Sequence, residues 1–328
     1  MRIAAVVVTH NRPELMLQAL ASLHLQSRPP DAIYVVDNAC DAASRARLGR
    51  PAGVTILRSE INLGGAGGFA LGMAKAFEAG HDWIWLLDDD ALARPDALAR
   101  LLEALDGPAQ DAAALCGTVR EFGDIALQHR RRYHLLSGIE RPLPRRAYEG
   151  PPCRTDTASF VGMLVSSAAV AQAGFPEPAL FLAYDDTEYS LRLGRAGLPI
   201  WLAPASVVEH LRERRARLRA GPFGSKHYFT IRNRVAVARA YASAPTVACG
   251  VALLFALALW LASGGCVQRG ALRMLLRAIR DGLRRRLGPF PDELVLLQGR
   301  RLLRRKAGQG TLRRRRRHPA PNPPAETP

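Results

Sequence analysis

The sequence has few cysteines, and their positions follow no recognisable spacing. There are five among 328 residues, an odd number, and no two form the short pairs that hold zinc. We therefore predict neither a disulfide framework nor a zinc site. A reducing cytoplasm is the simpler setting for such a chain.

Glycine is absent from the turn that follows the first apolar run. Residues Ile3 to Val8 are apolar and lead into Thr9-His10-Asn11-Arg12. A dinucleotide-binding fold would place glycines at this turn, so that class is disfavoured. The run is also too short for a signal peptide and lacks a small-residue cleavage site after it. We predict a buried strand here.

Excess positive charge is missing from most of the chain and concentrated near its end. Residues 269–317 hold 17 basic and three acidic side chains, whereas residues 1–268 hold 29 basic and 25 acidic ones. The C-terminal part is therefore predicted to bind phosphate groups, on anionic lipid or on nucleic acid. The body lacks the interleaved basic and aromatic residues that stack bases, so nucleic acid is not expected as a partner.

Short apolar runs alternate with helical patterns in the first part of the chain, which is typical of βα units around a largely parallel sheet. Strands are predicted at Ile3–Val8, Ala32–Val36, Val54–Leu57, Trp83–Leu87, Ala114–Val119, near Ser159–Val165 and at Ile200–Ala203. Helices are predicted at Glu14–Leu23, Phe69–Ala79, Pro95–Leu105, from about Ser167 and around Thr187–Ala196. Residues 121–155 break the rhythm and predict an inserted loop or hairpin. Residues 1–225 are the predicted α/β domain.

Charge is also absent between Ala240 and Gln268. A membrane span needs about 20 apolar residues, and residues 246–262 approach that length. An interfacial or re-entrant helix is the alternative to a span. The basic amphipathic run Leu272 to Leu287 follows. An apolar helix beside arginines predicts attachment to the cytoplasmic leaflet. We predict a helical, membrane-associated region at 226–300 and a basic, proline-rich disordered tail at 301–328.

Three consecutive aspartates, Asp88, Asp89 and Asp90, follow the predicted strand Trp83–Leu87. Ligands of open α/β sheets bind at the carboxyl ends of strands, and adjacent carboxylates repel one another unless a cation neutralises them. Two carboxylates one residue apart offer oxygen ligands to Mg²⁺ or Mn²⁺, which can bridge a diphosphate. The alternative is a solvated acidic turn that caps the helix predicted from Pro95.

A glycine-rich run, Asn62-Leu63-Gly64-Gly65-Ala66-Gly67-Gly68, precedes the helix predicted at Phe69–Ala79. Glycines let a backbone approach a ligand closely, and a helix N-terminus favours negative charge. A neighbouring sugar or phosphate is one interpretation of the run, and a flexible connection is the other.

Asp37 ends the second predicted strand, where its carboxylate could accept hydrogen bonds from a base or a ribose. An Asx-turn with Asn38 is the structural alternative. His210 lies in a predicted extended segment. Taken alone, it is better explained as a hydrogen-bonded structural histidine than as a metal ligand.

The pair Asp185-Asp186 follows an apolar, aromatic segment. Such surroundings could raise the pKa of one carboxyl and create a general base. In the structural alternative, Asp185 is a helix N-cap and Glu188 pairs with Arg192 four residues later. Both accounts can hold if Asp186 is left for chemistry.

In this order the motifs resemble family 2 glycosyltransferases of the GT-A fold, most closely bacterial galactofuranosyltransferases, with rhamnosyltransferases second. The likeness covers about two-thirds of the chain, from Thr9 to His210. Later stretches, Tyr228-Phe229-x-x-Arg232-Asn233-Arg234 and Asp281-Gly282-Leu283, resemble the membrane-associated tails of that group. The resemblance implies an α/β fold of GT-A type, a largely parallel mixed sheet flanked by helices, with a C-terminal helical membrane-associated appendage.

The same resemblance implies an inverting, single-displacement transfer of a sugar from a UDP- or dTDP-sugar to a hydroxyl of a lipid-linked or cell-envelope glycan. Asp186, with Asp185 beside it, would deprotonate the acceptor. The cofactor, Mn²⁺ or Mg²⁺, would be held by Asp88, Asp90 and His210. The nucleotide sugar would be held by Thr9, Asn11, Arg12, Asp37, Asn62, Gly64, Gly65, Gly67, Gly68, Asp88 and Asp89.

Two other functions stand as alternatives. A nucleotidyltransferase on a similar scaffold would release diphosphate instead of a nucleoside diphosphate. A nucleic-acid-binding protein would act through the basic C-terminus. The expected location is the cytoplasmic face of the inner membrane, reached peripherally or through one apolar helix.

Overall fold

Strands and helices alternate along the first part of this computed structural model, which describes residues 1–211 and 222–291. The described residues contain thirteen strands: β1 (Ile3–Thr9), β2 (Ala32–Asn38), β3 (Val54–Ser59), β4 (Trp83–Asp88), β5 (Ala91–Ala93), β6 (Ala114–Glu121), β7 (Asp124–Ile125), β8 (Arg130–His134), β9 (Ile139–Pro142), β10 (Cys153–Thr155), β11 (Thr157–Ala158), β12 (Met163–Ser166) and β13 (Ile200–His210). They also contain nine α-helices: α1 (Pro13–His24), α2 (Ala42–Leu48), α3 (Gly64–Glu78), α4 (Ala97–Asp106), α5 (Ser167–Ala173), α6 (Asp185–Arg195), α7 (Ser225–Tyr241), α8 (Pro245–Ala262) and α9 (Ala271–Leu283).

The main sheet is mixed and largely parallel, as predicted. Its order is β10-β13-β6-β12-β4-β1-β2-β3, with β5 paired to β13 and β7 to β6. β3, β2, β1 and β4 run parallel, and β12 is antiparallel between β4 and β6. The register pairs Thr9 with Asp37 and Val8 with Asp88. The carboxyl ends of β1, β2 and β4 therefore meet at one edge of the sheet.

Both faces of the sheet are covered, which explains why its central strands read as unbroken apolar runs. On β1, alternate residues enter two different cores. Ile3, Ala5 and Val7 pack with α1 and α4, whereas Val6 and Val8 pack with α3 and α6. All of β1 is buried. The predicted buried strand at Ile3–Val8 is confirmed.

The helix after β3 begins earlier than predicted, because the glycine run forms its first turns. α3 starts at Gly64, five residues before Phe69. A Cβ at Gly68 would lie 2.6 Å from Val8 Cγ1, and one at Gly72 would lie 2.3 Å from Val6 Cγ1. The glycines thus allow α3 to lie closer to β1 than any side chain would permit, and the interpretation of a flexible connection is wrong.

The stretch at 121–155 does contain a hairpin, as predicted. β8 and β9 are antiparallel and pair Tyr133 with Glu140, and β11 joins them in a second, three-stranded sheet. β10 instead joins the edge of the main sheet beside β13. The hairpin therefore brings side chains of its own toward α6.

The C-terminal helices belong to the same compact unit as the sheet, Met1–Pro289. α7 packs against both α8 and α9. The apolar helix α8 and the basic helix α9 agree with the predicted elements at 246–262 and 272–287. α7 falls within the helical region predicted at 226–300, although the sequence did not locate it as a separate helix. The tail at 301–328 and the last residues of the 226–300 region, from 292 onward, lie outside the described residues. All five cysteines are free.

Candidate active site

The three aspartates lie where β4 turns into β5. Asp88 is the last residue of β4, and Asp89 and Asp90 form the turn, 5% and 8% exposed. The helix that this turn was alternatively expected to cap begins at Ala97, with Asp96 at its N-cap position. The acidic cluster is therefore buried at the sheet edge, and it is not a solvated helix cap.

Thr9, the last residue of β1, and Arg12, in the turn that follows, hold this cluster. Thr9 donates a hydrogen bond from its Oγ1 to Asp89 Oδ2 at 2.8 Å. Arg12 Nη1 lies 3.0 Å from both Asp89 Oδ1 and Asp90 Oδ2. The predicted nucleotide-binding residues Thr9 and Arg12 thus contact the predicted cation-binding turn directly.

His210 reaches the cluster because β13 pairs with β5. The antiparallel register sets His210 opposite Ala91, the residue after Asp90. His210 Nε2 lies 3.1 Å from Asp90 Oδ1, and its Nδ1 lies 2.9 Å from Glu121 Oε1. Burial opposes protonation of His210, but the carboxylates of Asp90 and Glu121 raise its pKa to about 10.

Asp88, Asp90 and His210 fit a divalent cation. Each offers one ligand atom, and these three atoms all lie within 4.8 Å of one another. Among the described residues no side chain donates a hydrogen bond to Asp88. Burial, followed by the charge of Asp90, raises the pKa of Asp88 to about 7. A buried carboxylate beside another carboxylate is the arrangement that a cation stabilises, and a mixed oxygen and nitrogen set is compatible with Mn²⁺.

Glu121 and His129 are functional candidates that the sequence analysis missed. Glu121 Oε1 is 3.1 Å from His129 Nε2, and His129 Nδ1 is 2.7 Å from Ser159 Oγ. Burial lowers the pKa of His129 to about 4. A carboxylate on the far nitrogen of a ligating histidine fixes its orientation and raises its basicity. The contact with His210 Nδ1 gives Glu121 the position for that role.

Asp37 is fully buried at the end of β2. Its Oδ2 pairs with Arg45 Nε at 3.0 Å and Arg58 Nε at 3.1 Å, and its Oδ1 accepts from the Cys40 amide at 2.9 Å. Burial opposes ionisation, but these hydrogen bonds and charges lower the pKa of Asp37. Both carboxylate oxygens of Asp37 therefore accept hydrogen bonds from within the protein. The turn that Asp37 forms is closed by the Cys40 amide, and not by Asn38 as the alternative had it.

Asn11 and Asn62 are exposed at the mouth of the same edge. Asn11 Oδ1 accepts from the Asp41 amide at 2.7 Å, and Asn62 Oδ1 accepts from the Gly64 amide at 2.8 Å. Asn11 has a φ of 57°, a left-handed conformation that asparagine tolerates better than most residues. Both side chains fix the backbone of the turns that carry them.

The predicted glycines do not all face the same surroundings. Gly64, Gly67 and Gly68 are buried against protein, whereas Gly65 is partly exposed. A Cβ on Gly65 would lie 3.8 Å from Asp185 Oδ2. Gly65 is thus the glycine of the run that lies next to the acidic pair Asp185-Asp186.

The acidic pair Asp185-Asp186 forms the start of α6. Asp185 is its first residue and Tyr184 is the N-cap, so the predicted N-cap at Asp185 is wrong by one residue. The predicted ion pair between Glu188 and Arg192 is confirmed, because Arg192 Nη2 lies 2.9 Å from Glu188 Oε2. Acidic residues in a first helical turn are stabilised by the helix dipole.

The two carboxylates differ in environment. Asp185 is 8% exposed, and burial, followed by the charge of Asp186, raises its pKa to about 8. Asp88 lies close enough to contribute to this shift. The Asp186 side chain is 23% exposed, with Oδ2 4.0 Å from Arg131 Nη2. Burial also raises the pKa of Asp186, against the opposing charge of Arg131.

Arg131 and Glu140 are further site residues that the sequence did not reveal. They lie on β8 and β9, and Arg131 Nε is 3.0 Å from Glu140 Oε2. Arg131 also donates to Thr187 Oγ1 at 3.0 Å. The hairpin of the 121–155 stretch therefore lies along one side of the acidic pair Asp185-Asp186. Lack of periodicity in that stretch gave no signal for either residue.

Comparison with known proteins agrees with this geometry. Residues 1–235 match the glycosyltransferase-like family 2. Galactofuranosyltransferase GlfT1 of Mycobacterium tuberculosis strain H37Rv is 36% identical over 248 residues, which cover 70% of this chain and 80% of that protein. Galactofuranosyltransferase GlfT1 of Mycolicibacterium smegmatis is 34% identical over 255 residues, covering 71% of this chain and 81% of that protein.

Solved structures share the fold at low sequence identity. The crystal structure of GalNAc-T7 with UDP, GalNAc and Mn²⁺ has a TM-score of 0.55 at 16% identity and covers 73% of this chain and 48% of that chain. This chain thus spans about half the length of that one. S. aureus TarS 1-349 in complex with UDP has a TM-score of 0.52 at 12% identity and covers 86% of this chain and 82% of that chain. The predicted α/β fold of GT-A type is confirmed, and the chain belongs to the glycosyltransferase-like family 2.

Proposed function

We propose that this protein is an inverting, metal-dependent glycosyltransferase that moves a sugar from a nucleoside-diphosphate donor to a hydroxyl of a lipid-linked or cell-envelope glycan. The observation that carries the proposal is the meeting of Asp88, Asp90 and His210 with the pair Asp185-Asp186 at one edge of the sheet. Relatives named galactofuranosyltransferases favour galactofuranose over rhamnose as the sugar. UDP in both solved neighbours favours UDP over dTDP.

On the donor side, Asp88, Asp90 and His210 would hold Mn²⁺ or Mg²⁺. When bound, the ion supplies Lewis-acid stabilisation of the leaving nucleoside diphosphate. Thr9 and Arg12 keep the carboxylates of Asp89 and Asp90 in place through the contacts described above. Glu121 keeps the His210 ring oriented, and Gly65 leaves room beside Asp185 for the sugar.

On the acceptor side, Asp186 acts as the general base. Its carboxylate takes the proton of the acceptor hydroxyl while that oxygen attacks the anomeric carbon, and the bond from this carbon to the diphosphate oxygen breaks. Attack opposite the leaving group inverts the configuration. Its raised pKa brings Asp186 nearer to the operating pH, which suits a base, and Arg131 with Thr187 fixes its position.

The acceptor chemistry calls for a membrane surface, and α8 with α9 offers one. α8 is the helix within the described ranges that is long and apolar enough for a membrane span by length and composition. Its alanines Ala248, Ala252 and Ala256 are buried, and its opposite side carries exposed Leu254 and Leu257. We propose peripheral attachment to anionic lipid at the cytoplasmic face of the inner membrane, with α8 lying against the bilayer.

Glutamate substitution on this exposed side tests the attachment. Leu254→Glu together with Leu257→Glu is expected to weaken binding to phosphatidylglycerol vesicles by more than roughly tenfold, because burying one leucine contributes about 1.5–3 kcal/mol. Vesicle co-sedimentation measures the change. Leu25→Glu is the matched control, since Leu25 is 71% exposed in the turn after α1. Equal binding of all three proteins would contradict the attachment.

A donor panel tests the reaction itself. Full-length protein with Mn²⁺, a lipid-linked acceptor and UDP-galactofuranose, UDP-galactopyranose or dTDP-rhamnose is assayed for released nucleotide. We expect acceptor-dependent release of UDP, fastest with UDP-galactofuranose. Release of inorganic diphosphate would favour a nucleotidyltransferase, and no turnover with any donor would refute the proposal.

A further inference from the structure

The backbone just before the acidic pair adopts an unusual conformation. Phe181, Ala183 and Tyr184 have φ values of 63°, 65° and 64°, in the left-handed region that non-glycine residues seldom occupy. The Leu182 amide donates to the Leu180 carbonyl at 2.7 Å, which makes Phe181 the centre of a γ-turn of the rare positive-φ type. Such a conformation persists only where surrounding groups hold it.

Asn233 of α7 supplies one set of those holding groups. It is completely buried, and its Nδ2 lies 2.9, 3.0 and 2.7 Å from the carbonyl oxygens of Leu180, Leu182 and Ala183. Its Oδ1 accepts from Arg232 Nε at 2.8 Å. One amide side chain therefore binds three carbonyls of the turn. Aspartate has the same shape but no N–H group, so it would repel them.

The neighbouring arginines of α7 hold the same segment at its two ends. Arg232 Nη2 donates to the Leu180 carbonyl at 2.8 Å, and Arg234 Nη1 donates to Tyr184 Oη at 2.6 Å. The Tyr184 carbonyl in turn accepts from the Glu188 amide at 2.8 Å and so caps α6. The orientation of the first turn of α6, where the acidic pair lies, thus depends on Tyr184.

The first turn of α3 holds the segment from the opposite side. The Ala66 amide donates to the Phe181 carbonyl at 3.2 Å. Gly64 has a φ of 70°, and a Cβ there would lie 2.0 Å from the same carbonyl oxygen. Gly65 follows, beside Asp185. The segment is therefore clamped between the glycine-rich start of α3 and the Arg232-Asn233-Arg234 stretch of α7.

α9 supports α7 from behind. Tyr228 Oη donates to Asp281 Oδ2 at 2.8 Å, and a Cβ on Gly282 would lie 2.5 Å from the Arg232 carbonyl oxygen. The two C-terminal stretches that resembled membrane-associated tails thus contact each other here. From α9 through α7 to the turn, buried contacts continue up to Asp185-Asp186.

We propose that Asn233 and Arg234 are positioning residues of the transfer reaction. By fixing the turn at residues 180–184, in which Phe181, Ala183 and Tyr184 are left-handed, they set the first turn of α6 so that its carboxylates face the acceptor hydroxyl. This inference rests on the proposed function. It assigns the C-terminal helices a part in the active site in addition to membrane attachment.

Uncoupling of transfer from donor hydrolysis tests the proposal. In Asn233→Asp, kcat for transfer should fall about 100-fold, the cost typical of a 1 Å misplacement. The UDP affinity and the slow hydrolysis of the donor by water should stay at wild-type values. Tyr184→Phe and Arg234→Met should each lower kcat without changing the donor KM, and their double variant should lose no more than either one. Arg234→Lys should recover most of the loss.

Arg239→Met is the matched control on α7, because Arg239 is an exposed residue of that helix that bonds the Leu283 carbonyl instead of the turn. It should keep wild-type kcat. Wild-type kcat in Asn233→Asp, or equal losses of transfer, hydrolysis and UDP affinity, would overturn the positioning role. Melting temperatures ensure that each assay runs on folded protein. Absence of transfer by the wild type would instead refute the proposed function.

Discussion

Asp186→Asn is expected to lower kcat for transfer by roughly 10²–10⁴-fold, the range that general-base catalysis contributes. Asparagine keeps the shape of the side chain and its hydrogen bond from the Thr187 amide, but it cannot take up the proton of the acceptor hydroxyl. Donor binding should be unchanged, because Asp186 faces Arg131, whereas Asp185 is the carboxylate beside Gly65 that interacts with Asp88. Steady-state kinetics and UDP titration calorimetry measure the two quantities.

Two further variants make this result specific. Asp96→Asn changes a partly exposed aspartate before α4 that pairs with Arg100, and it should leave kcat unchanged. Asp185→Asn should weaken donor binding, since Asp185 lies beside Gly65 and interacts with Asp88. Loss of transfer in Asp185→Asn with full transfer in Asp186→Asn would move the base role to Asp185. Equal loss of donor binding and transfer in Asp186→Asn would make that residue structural.

Asp90→Ala is expected to weaken Mn²⁺ binding by more than roughly 10²-fold, because loss of an outer-shell partner alone typically costs 10–100-fold. Mn²⁺-dependent transfer and Mn²⁺-dependent UDP binding should be lost with it. Glu121→Gln should give the smaller, outer-shell effect through His210. Electron paramagnetic resonance of free Mn²⁺ measures each affinity directly.

The pH dependence of this affinity provides an independent check. The pKa of His210, raised to about 10 by its carboxylate neighbours against the effect of burial, means that Mn²⁺ must displace a proton. Mn²⁺ affinity should therefore fall as the pH falls. Chelation with EDTA should abolish transfer, and added Mn²⁺ should restore it. If Asp90→Ala bound UDP in the presence of Mn²⁺ as tightly as the wild type does, the metal assignment would be contradicted.

The parts of the fold predicted best are those in which local pattern and burial coincide. β1, β2 and β4 are buried on both faces, so their apolar runs were sufficient to locate them. α7 gave no such signal, because it is enclosed by α8, α9 and the turn before α6 and therefore buries residues on several faces, charged Arg232 among them. An amphipathic stripe exists only where one side of a helix meets water.

The residues of the candidate site also divide into those that local pattern identified and those that it did not. Asp88, Asp90 and Asp186 were identifiable because each belongs to a short acidic motif at a predicted strand end or helix start. Glu121 and Arg131 were not, because the contacts that connect them to His210 and to α6 span long stretches of sequence. Glu121 meets His210 across 89 residues, and Arg131 meets Thr187 across 56. Such pairs depend on strand order and register, which local spacing does not encode.

The packing of α8 has a practical consequence for making this protein in the laboratory. Removing the chain from α8 onward, the usual route to a detergent-free sample, would also remove α9, and with it Asp281 and Gly282 from the back of α7. Polar replacement of exposed Leu254, Leu257 and Leu261 leaves the alanine side of α8 on α7 untouched. Surface redesign, unlike truncation, therefore keeps the contacts of α9 with α7 and, through α7, the turn that precedes Asp185 and Asp186.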